Sequence, residues 1–167
     1  SKLVMDNESE YDDGKNHVSQ SYSDNSVRRF ANACSMLKKY EQQNINKPIV
    51  DYSFEILDKV NQPEFTKWSV VYDINNKIVY FKTASYTDIK SVAFSDVDLS
   101  CSAKAVSFDM NQPSVGSVGK LLVPFTSDLN LAVMSKAVAE SKNQVPFNDE
   151  YIKSTIAYAS AIECSKN

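Results

Sequence analysis

Histidine, cysteine and glycine are scarce in this sequence, and each shortage excludes a class of site. The 167 residues contain one histidine, three cysteines and three glycines. Neither a CxxC pair nor a Cys/His cluster occurs, so a zinc site has almost no support. The one histidine, His17, lies in a polar stretch and cannot easily organise a catalytic base. Phosphate-loop, GxSxG and HExxH motifs are also missing, which leaves no local signature for phosphate binding, a serine triad or metal-assisted hydrolysis.

The cysteines, Cys34, Cys101 and Cys164, lie far apart at irregular spacing. Their odd number argues against a disulfide framework. We therefore predict buried, apolar thiols, with Cys164 the most exposed of the three.

Long apolar runs and an excess of basic residues are absent as well. The formal net charge is −3, so the electrostatic attraction that supports non-specific nucleic-acid binding is lacking. The apolar runs at 78–81, 121–125 and 129–134 are too short to span a membrane. The first residues contain no apolar segment of the kind found in a signal peptide.

What is present divides the chain into three parts. Residues 1–25 are rich in Asp, Asn, Ser and Glu and predict a loop or an extended arm. Residues 26–110 carry the helical and strand patterns of an α+β domain. Residues 111–167 predict a linker that contains two of the three glycines, followed by two helices over 129–141 and 151–162. Ser127 or Asp128 is expected to cap the first helix, and the Asn-Asp-Glu sequence at 148–150 is expected to cap the second.

The first helix has a helical apolar repeat with an arginine at its border. Val27, Phe30, Cys34 and Leu37, with the alanine at position 31, recur at the i, i+3, i+4, i+7 spacing of one helix face. Asp24 or Ser26 is the expected N-cap.

At 100° per residue, Arg29 falls at the edge of this apolar face, whereas Arg28 points towards solvent. From the pattern alone, Arg29 is a side chain whose stem covers the apolar face and whose charge reaches water.

A hairpin and a short helix are the other clear elements. Apolar residues at 52–60 predict a short helix that ends before Pro63. The aromatic and β-branched runs at 68–72 and 78–81 predict two antiparallel strands, with Asn75 and Asn76 at the positions of positive φ in the turn. Residues 89–94 and 103–110 continue the strand pattern. Because nearly every position of the hairpin is apolar, we expect it to be covered on at least one face and on much of the other.

Four segments in this order resemble one enzyme family. They are SVRRFANA at 26–33, FEILDKV at 54–60, the pair FTKWSVVYD and IVYFKT at 65–73 and 78–83, and the strand pattern at 89–110. Together they are similar to the C-terminal part of the choloylglycine hydrolases, which include bile salt hydrolases and penicillin V acylases. The resemblance covers residues 26–110, about half of the chain.

The resemblance implies an N-terminal-nucleophile hydrolase fold, with four αββα layers in which antiparallel strands are flanked by helices. The family cleaves a linear amide C–N bond of an N-acyl conjugate with an N-terminal cysteine and without a cofactor. Arg29 matches the family's catalytic arginine near the start of a late helix. Arg28 takes the place of the family's serine, and Asn32 takes the place of its next arginine. The family is bacterial, which implies a cytoplasmic or periplasmic protein.

The family's nucleophile, aspartate and asparagines have no equivalents in this chain. We therefore expect the nucleophile on a preceding segment of the same precursor. That segment and a small amide substrate would be the partners of this chain. A homo-oligomer is compatible with these partners. The chain would be either a processed product or a truncated form. One alternative is a non-catalytic binding module that keeps the fold but lacks the nucleophile. Another is an unrelated α+β domain.

Overall fold

The structure is a computed structural model that describes residues 22–43, 45–141 and 148–161. It is a mixed α+β protein with small, mainly antiparallel sheets, as the sequence predicts. The chain divides into two compact units, Ser1–Ser91 with Met110–Gly116, and Val92–Asp109 with Ser117–Asn167. No helix among the described residues is long and apolar enough to cross a membrane.

Two helices form one side of the first unit. Helix α1 spans Tyr22–Gln42, and helix α2 spans Ile49–Lys59. Their contact includes the Tyr40 and Tyr52 rings, whose centroids are 4.8 Å apart. The Tyr52 hydroxyl also donates a hydrogen bond to the Met36 carbonyl oxygen at 2.9 Å. Burial of Tyr52, Phe54 and Ile56 shows that, among the described residues, the predicted short helix supplies most of this unit's apolar core.

Helix α1 begins earlier than its apolar repeat indicates. It is already helical at Tyr22, so Asp24 and Ser26 lie inside the helix and neither is its N-cap. The predicted loop at 1–25 is therefore wrong over 22–25, and residues 1–21, with His17, lie outside the described residues. The apolar repeat marks where the helix contacts its neighbours, which is a different property from where it starts.

The predicted hairpin is confirmed. Strand β1 spans Trp68–Asp73 and strand β2 spans Ile78–Thr83, and they pair antiparallel with Trp68 opposite Thr83 and Asp73 opposite Ile78. Helix α2 packs on this hairpin. The Lys82 ammonium bridges to the Asp58 carboxylate at 2.7 Å and lies 5.4 Å from the centre of the Phe54 ring. One hairpin face is thus covered by α2. On the other face Trp68 and Tyr72 stay exposed, so the cover expected there is absent at these two positions.

The positive φ in the hairpin turn falls on a different residue from the two that were predicted. Because the register closes at Asp73 and Ile78, the loop has the four residues 74–77. Its left-handed residue is Lys77, with a φ of 56°, and neither Asn75 nor Asn76 has a positive φ. Asn76 instead donates its backbone N–H and its side-chain amide to the Asp73 carboxylate, at 2.9 and 2.7 Å.

The later strands are shorter than the sequence pattern predicts. Strand β3 spans Lys90–Ala93 and strand β4 only Val106–Ser107. Strand β5, Gly116–Ser117, lies in the segment predicted to be a linker and completes a sheet of order β1-β2-β3-β5. Strand β6, Val123–Pro124, pairs with β4 in a second sheet. A two-residue strand is too short to show a period-2 pattern, so β5 and β6 leave no signal in the sequence.

The second unit contains two helices that pack against each other. Helix α3 spans Ser127–Ser141 and helix α4 spans Asp149–Ala161, close to the predicted ranges. The Asn130 side chain donates to the Ile156 carbonyl oxygen at 3.2 Å. Asn148 accepts the Tyr151 N–H at 2.7 Å, so its predicted capping role is confirmed.

The cap predicted for α3 is one residue off. Thr126 Oγ1 accepts the Leu129 N–H at 3.2 Å, and both Ser127 and Asp128 lie inside the helix. Hydroxyl and carboxylate side chains stand next to each other here, so composition alone does not select the capping residue.

The cysteines follow the prediction only in part. Cys34 is buried in the first unit, as expected for an apolar thiol. Cys101 is exposed and disulfide-bonded, so the prediction of a buried thiol is wrong there. Cys164 lies outside the described residues.

Replacing Lys77 with glycine should stabilise the protein. A Cβ is unfavourable in the left-handed region, and glycine avoids that cost. We expect Lys77→Gly to raise the free energy of unfolding by about 0.5–1 kcal/mol in urea denaturation. Asn75→Gly is the matched control and should not stabilise, because its φ is not positive. Equal effects of the two variants would contradict this account of the turn.

The burial of Lys90 predicts a second substitution that should stabilise the protein. Its side chain is 0% exposed, and its Nζ has no hydrogen-bond partner among the described residues, with the Tyr86 ring centre 5.5 Å away. An unpaired buried amine is costly, whereas methionine fills a similar volume without it. Lys90→Met should raise the free energy of unfolding by about 1–3 kcal/mol.

Lys82→Met is the control for this change, because it removes an amine that is paired with Asp58. It should be neutral or destabilising in the same denaturation experiment. A loss of stability in Lys90→Met would contradict this account of the Lys90 amine.

Candidate functional site

The arginine at the border of the first apolar face lies beside a cleft in the first unit. Arg29 is half-buried, whereas Arg28 is exposed, as the helix geometry predicts. The cleft has a volume of about 190 Å³ and lies where α1, the end of α2 and the start of β1 meet. It is lined by Arg29, Leu57, Val60, Asn61, Thr66, Trp68, Ser69 and Val70.

One hydrogen bond fixes the position of the Arg29 guanidinium. Its Nε donates to the carbonyl oxygen of Val60 at 2.5 Å. Val60 is the C-cap of α2, so this carbonyl is one that the helix itself leaves unpaired. A positive charge at a helix C-terminus is favourable, because the partial charge there is negative. Arg29, about two turns into α1, therefore joins that helix to the end of α2.

The same bond leaves most of the guanidinium available. Arginine has five N–H donors, and Nε uses one of them. Within the described part of the chain, the two Nη groups make no hydrogen bond or ion pair. Arg29 is also the sole charged residue among those that line the cleft. The cleft can therefore bind a carboxylate or another oxyanion with the planar, bidentate geometry that arginine provides.

The remaining lining residues offer hydroxyl and amide groups but no complete catalytic unit. The Thr66 hydroxyl accepts the Gln62 N–H at 3.1 Å and so holds the turn that follows α2. Ser69 and Asn61 are the other polar side chains at the cleft. None of the lining residues carries a thiol, an imidazole or a carboxylate. The arrangement can orient an anionic or carbonyl group, but a nucleophile and a base must come from elsewhere.

The sequence pattern selects Arg29 but gives no sign of the polar residues around it. Asn61 and Thr66 belong to the turn between α2 and β1, where they carry no periodic signal. The Asn-Gln-Pro sequence at 61–63 indicates a turn, and this is the sequence feature that could have identified these polar residues.

A second cleft lies at the other end of the hairpin. It has a volume of about 370 Å³ and is lined by Ile49, Val50, Ser53, Val71, Tyr72, Asp73, Ile74 and Asn75. Hydrogen bonds from the Asn76 side chain and backbone lower the pKa of Asp73, because they favour the charged carboxylate. Asp73 is therefore ionised at neutral pH.

Two further pKa shifts lie outside both clefts. A hydrogen bond with the Glu55 side chain raises the pKa of Lys47, and the Ser100 N–H lowers the pKa of Asp98. No group of histidine, cysteine, aspartate or glutamate side chains among the described residues could hold a metal ion.

Comparison with protein-family models, with characterised proteins and with solved structures finds no match to this chain. The cleft and its arginine therefore have to be interpreted from their own geometry and from the sequence pattern.

The Arg29 geometry predicts unequal effects of neighbouring arginine substitutions on stability. Arg29→Ala removes the bond to Val60 and the stem that covers the apolar face, and should lower the free energy of unfolding by about 1–2 kcal/mol. Arg28→Ala is the matched control and should stay within about 0.5 kcal/mol of the original protein. Urea denaturation of both variants measures the difference. A larger loss in Arg28→Ala would show that the helix phase is wrong.

Proposed function

We propose that this chain is the C-terminal part of an enzyme that hydrolyses a linear amide C–N bond. The substrate would be an N-acyl conjugate such as a bile salt or penicillin V. The nucleophile would be an N-terminal cysteine on a preceding segment of the same precursor. In this proposal the chain contributes to a four-layer αββα fold, and the fold resembles that of the choloylglycine hydrolases.

The observation that carries the proposal is the placement of Arg29. The arginine that matches the family's catalytic arginine is half-buried and lines a cleft, whereas its neighbour Arg28 is exposed. The cleft also contains Trp68 and Ser69, which belong to the hairpin segment of the same resemblance. Two separately matched segments thus meet in the first unit, which supports a shared site.

The reaction needs two steps. The cysteine thiolate attacks the amide carbonyl carbon, and a C–S bond forms as the C–N bond breaks and the amine leaves with a proton. Water then attacks the acyl-enzyme, releases the carboxylic acid and regenerates the thiol. The Nη groups of Arg29 would bind the oxygen that becomes negative, or the carboxylate of the substrate. A guanidinium fixed by Val60 suits this role because it needs no reorganisation as charge develops.

A binding module without catalysis is the second candidate. It is favoured by the lining of the cleft, which has an oxyanion-binding arginine but no thiol, imidazole or carboxylate among the described residues. Such a module would bind the anionic end of an acyl conjugate and leave the amide intact.

The proposal predicts a second polypeptide and a measurable hydrolysis. Intact-mass analysis of native material should detect a polypeptide that begins with cysteine, either joined to this sequence or co-purifying with it. That assembly should release the free amine from N-acyl conjugates. Binding of the conjugates without release of amine would favour the binding module, and absence of both would contradict the proposal.

Arg29 should affect turnover more than folding in this assembly. Arg29→Ala should lower kcat by about 10²-fold, as expected for the loss of one electrostatic donor. Arg29→Lys tests the fork geometry, because it keeps the charge but not the bidentate donors, and should recover only part of the rate. Arg28→Ala should be nearly silent. Unchanged turnover in Arg29→Ala, in a folded assembly, would contradict the assigned role.

A further inference from the structure

Strand β1 has one edge that is unpaired among the described residues. It is the first strand in the sheet order β1-β2-β3-β5. The Ala84 N–H donates to the Lys67 carbonyl oxygen at 2.9 Å, which identifies this pair as hydrogen-bonded. Since such pairs alternate along an antiparallel ladder, the odd-numbered residues of β1 bond to β2. The N–H and C=O groups of Trp68, Val70 and Tyr72 therefore point away from β2.

Apart from the charges at its two ends, Lys67 and Asp73, the edge lacks the features that normally block strand pairing. Its sequence from 68 to 73 is WSVVYD, without lysine, proline or glycine. Trp68 is 63% exposed and Tyr72 is 68% exposed. Natural edge strands are usually protected by charge, proline, a bulge or a covering segment. An edge strand with four apolar residues, two of them exposed aromatic side chains, is typical of a strand that pairs with another strand.

The strand is complementary to itself in one antiparallel register. If Val70 faces Val70 of a second copy, Trp68 faces Tyr72 and Lys67 faces Asp73. The outward-pointing residues then oppose one another, as a hydrogen-bonded ladder requires. A shift by two residues in either direction removes the charge pairing, because Lys67 would then face Val71 or Asn75. Opposite charges and aromatic pairs across strands are both favourable.

We propose that two copies of this chain associate through β1, paired antiparallel across a two-fold axis at Val70. The pairing forms about six backbone hydrogen bonds, two for each of the three outward pairs. It closes after two copies, because each strand uses its single free edge. Lys67 is exposed and its Nζ donates one hydrogen bond, to the Glu64 carbonyl oxygen at 2.9 Å. The Asp73 carboxylate is ionised at neutral pH, so the two side chains carry the opposite charges that the pair needs. This inference does not rest on the proposed amide hydrolysis.

The same register brings the second cleft of one copy, which Ile74 lines, towards the Arg29 cleft of the other copy. Ile74 and Thr66 lie just outside the paired strands, and the register would bring Ile74 of the second copy close to Thr66, which lines the Arg29 cleft. The hairpin turn of each copy thus extends towards the arginine cleft of the other. Ile74 is among the most exposed apolar side chains described, which this contact explains. Association would therefore place an apolar side chain beside the Arg29 cleft.

Charge exchange tests the register directly. Lys67→Asp alone places two carboxylates opposite each other, and Asp73→Lys alone places two ammonium groups opposite each other. Sedimentation equilibrium of the full chain should show a dimer for the original protein and a dissociation constant raised about tenfold or more for each variant. An equimolar mixture of the two variants restores opposite charges at both ends. It should form a heterodimer with an affinity within about threefold of the original.

The controls separate pairing from folding and from general charge effects. Lys38→Asp makes the same charge change on an exposed helix position and should leave the dimer intact. Val70→Pro removes an outward N–H without breaking the ladder to β2, and should abolish the dimer while circular dichroism shows a folded chain.

Three results would overturn the proposal. The first is a monomer at the highest soluble concentration, and the second is a mixture of variants that does not restore association. The third is a different polypeptide bound at β1 in native material, which would show that the edge belongs to another partner.

Discussion

The antiparallel register of β1 and β2 is the constraint on which the other features of the first unit depend. With Asp73 opposite Ile78, the loop must have four residues, and the left-handed conformation falls on Lys77. The same register places Lys82 on the face that receives α2, where it reaches Asp58 and the Phe54 ring. A shift of one residue would turn every one of these side chains to the opposite face.

The register also separates two surfaces with different chemistry. On one side of the hairpin, α2 ends at Val60, and its unpaired carbonyl anchors Arg29 at a cleft with no other charge among its lining residues. On the other, the backbone groups of Trp68 and Tyr72 face outward beside their own exposed rings. The first surface suits a small anion or a developing oxyanion, and the second suits an extended strand. Both surfaces include Trp68 at the start of β1, so a strand bound at the edge would lie close to a ligand in the cleft.

Arg29 illustrates how a structural role and a chemical role can coincide. The bond from its Nε to Val60 stabilises the junction of two helices, and it also limits the rotation of the guanidinium. Because a planar fork that is already held loses less entropy when it binds, the structural bond makes the remaining donors more effective. The pattern at 26–33 that resembles an amide hydrolase selects this residue, and the proposed function assigns it a role in binding negative charge.

Local periodicity by itself determined the four helices and the hairpin, because each spans enough residues for its apolar repeat to appear. It also separated Arg29 from Arg28, since one step of 100° along a helix is a large change in direction. Tertiary structure alone decided the start of α1, the residue that takes a positive φ, the strands β5 and β6, and the polar groups of the cleft. Those features depend on which backbone groups find a partner far away in the sequence, and a two-residue strand such as Gly116–Ser117 has no repeat of its own. Burial of Lys90 and the exposure of Trp68 belong to the same class, because side-chain accessibility follows from the neighbours that the fold brings together.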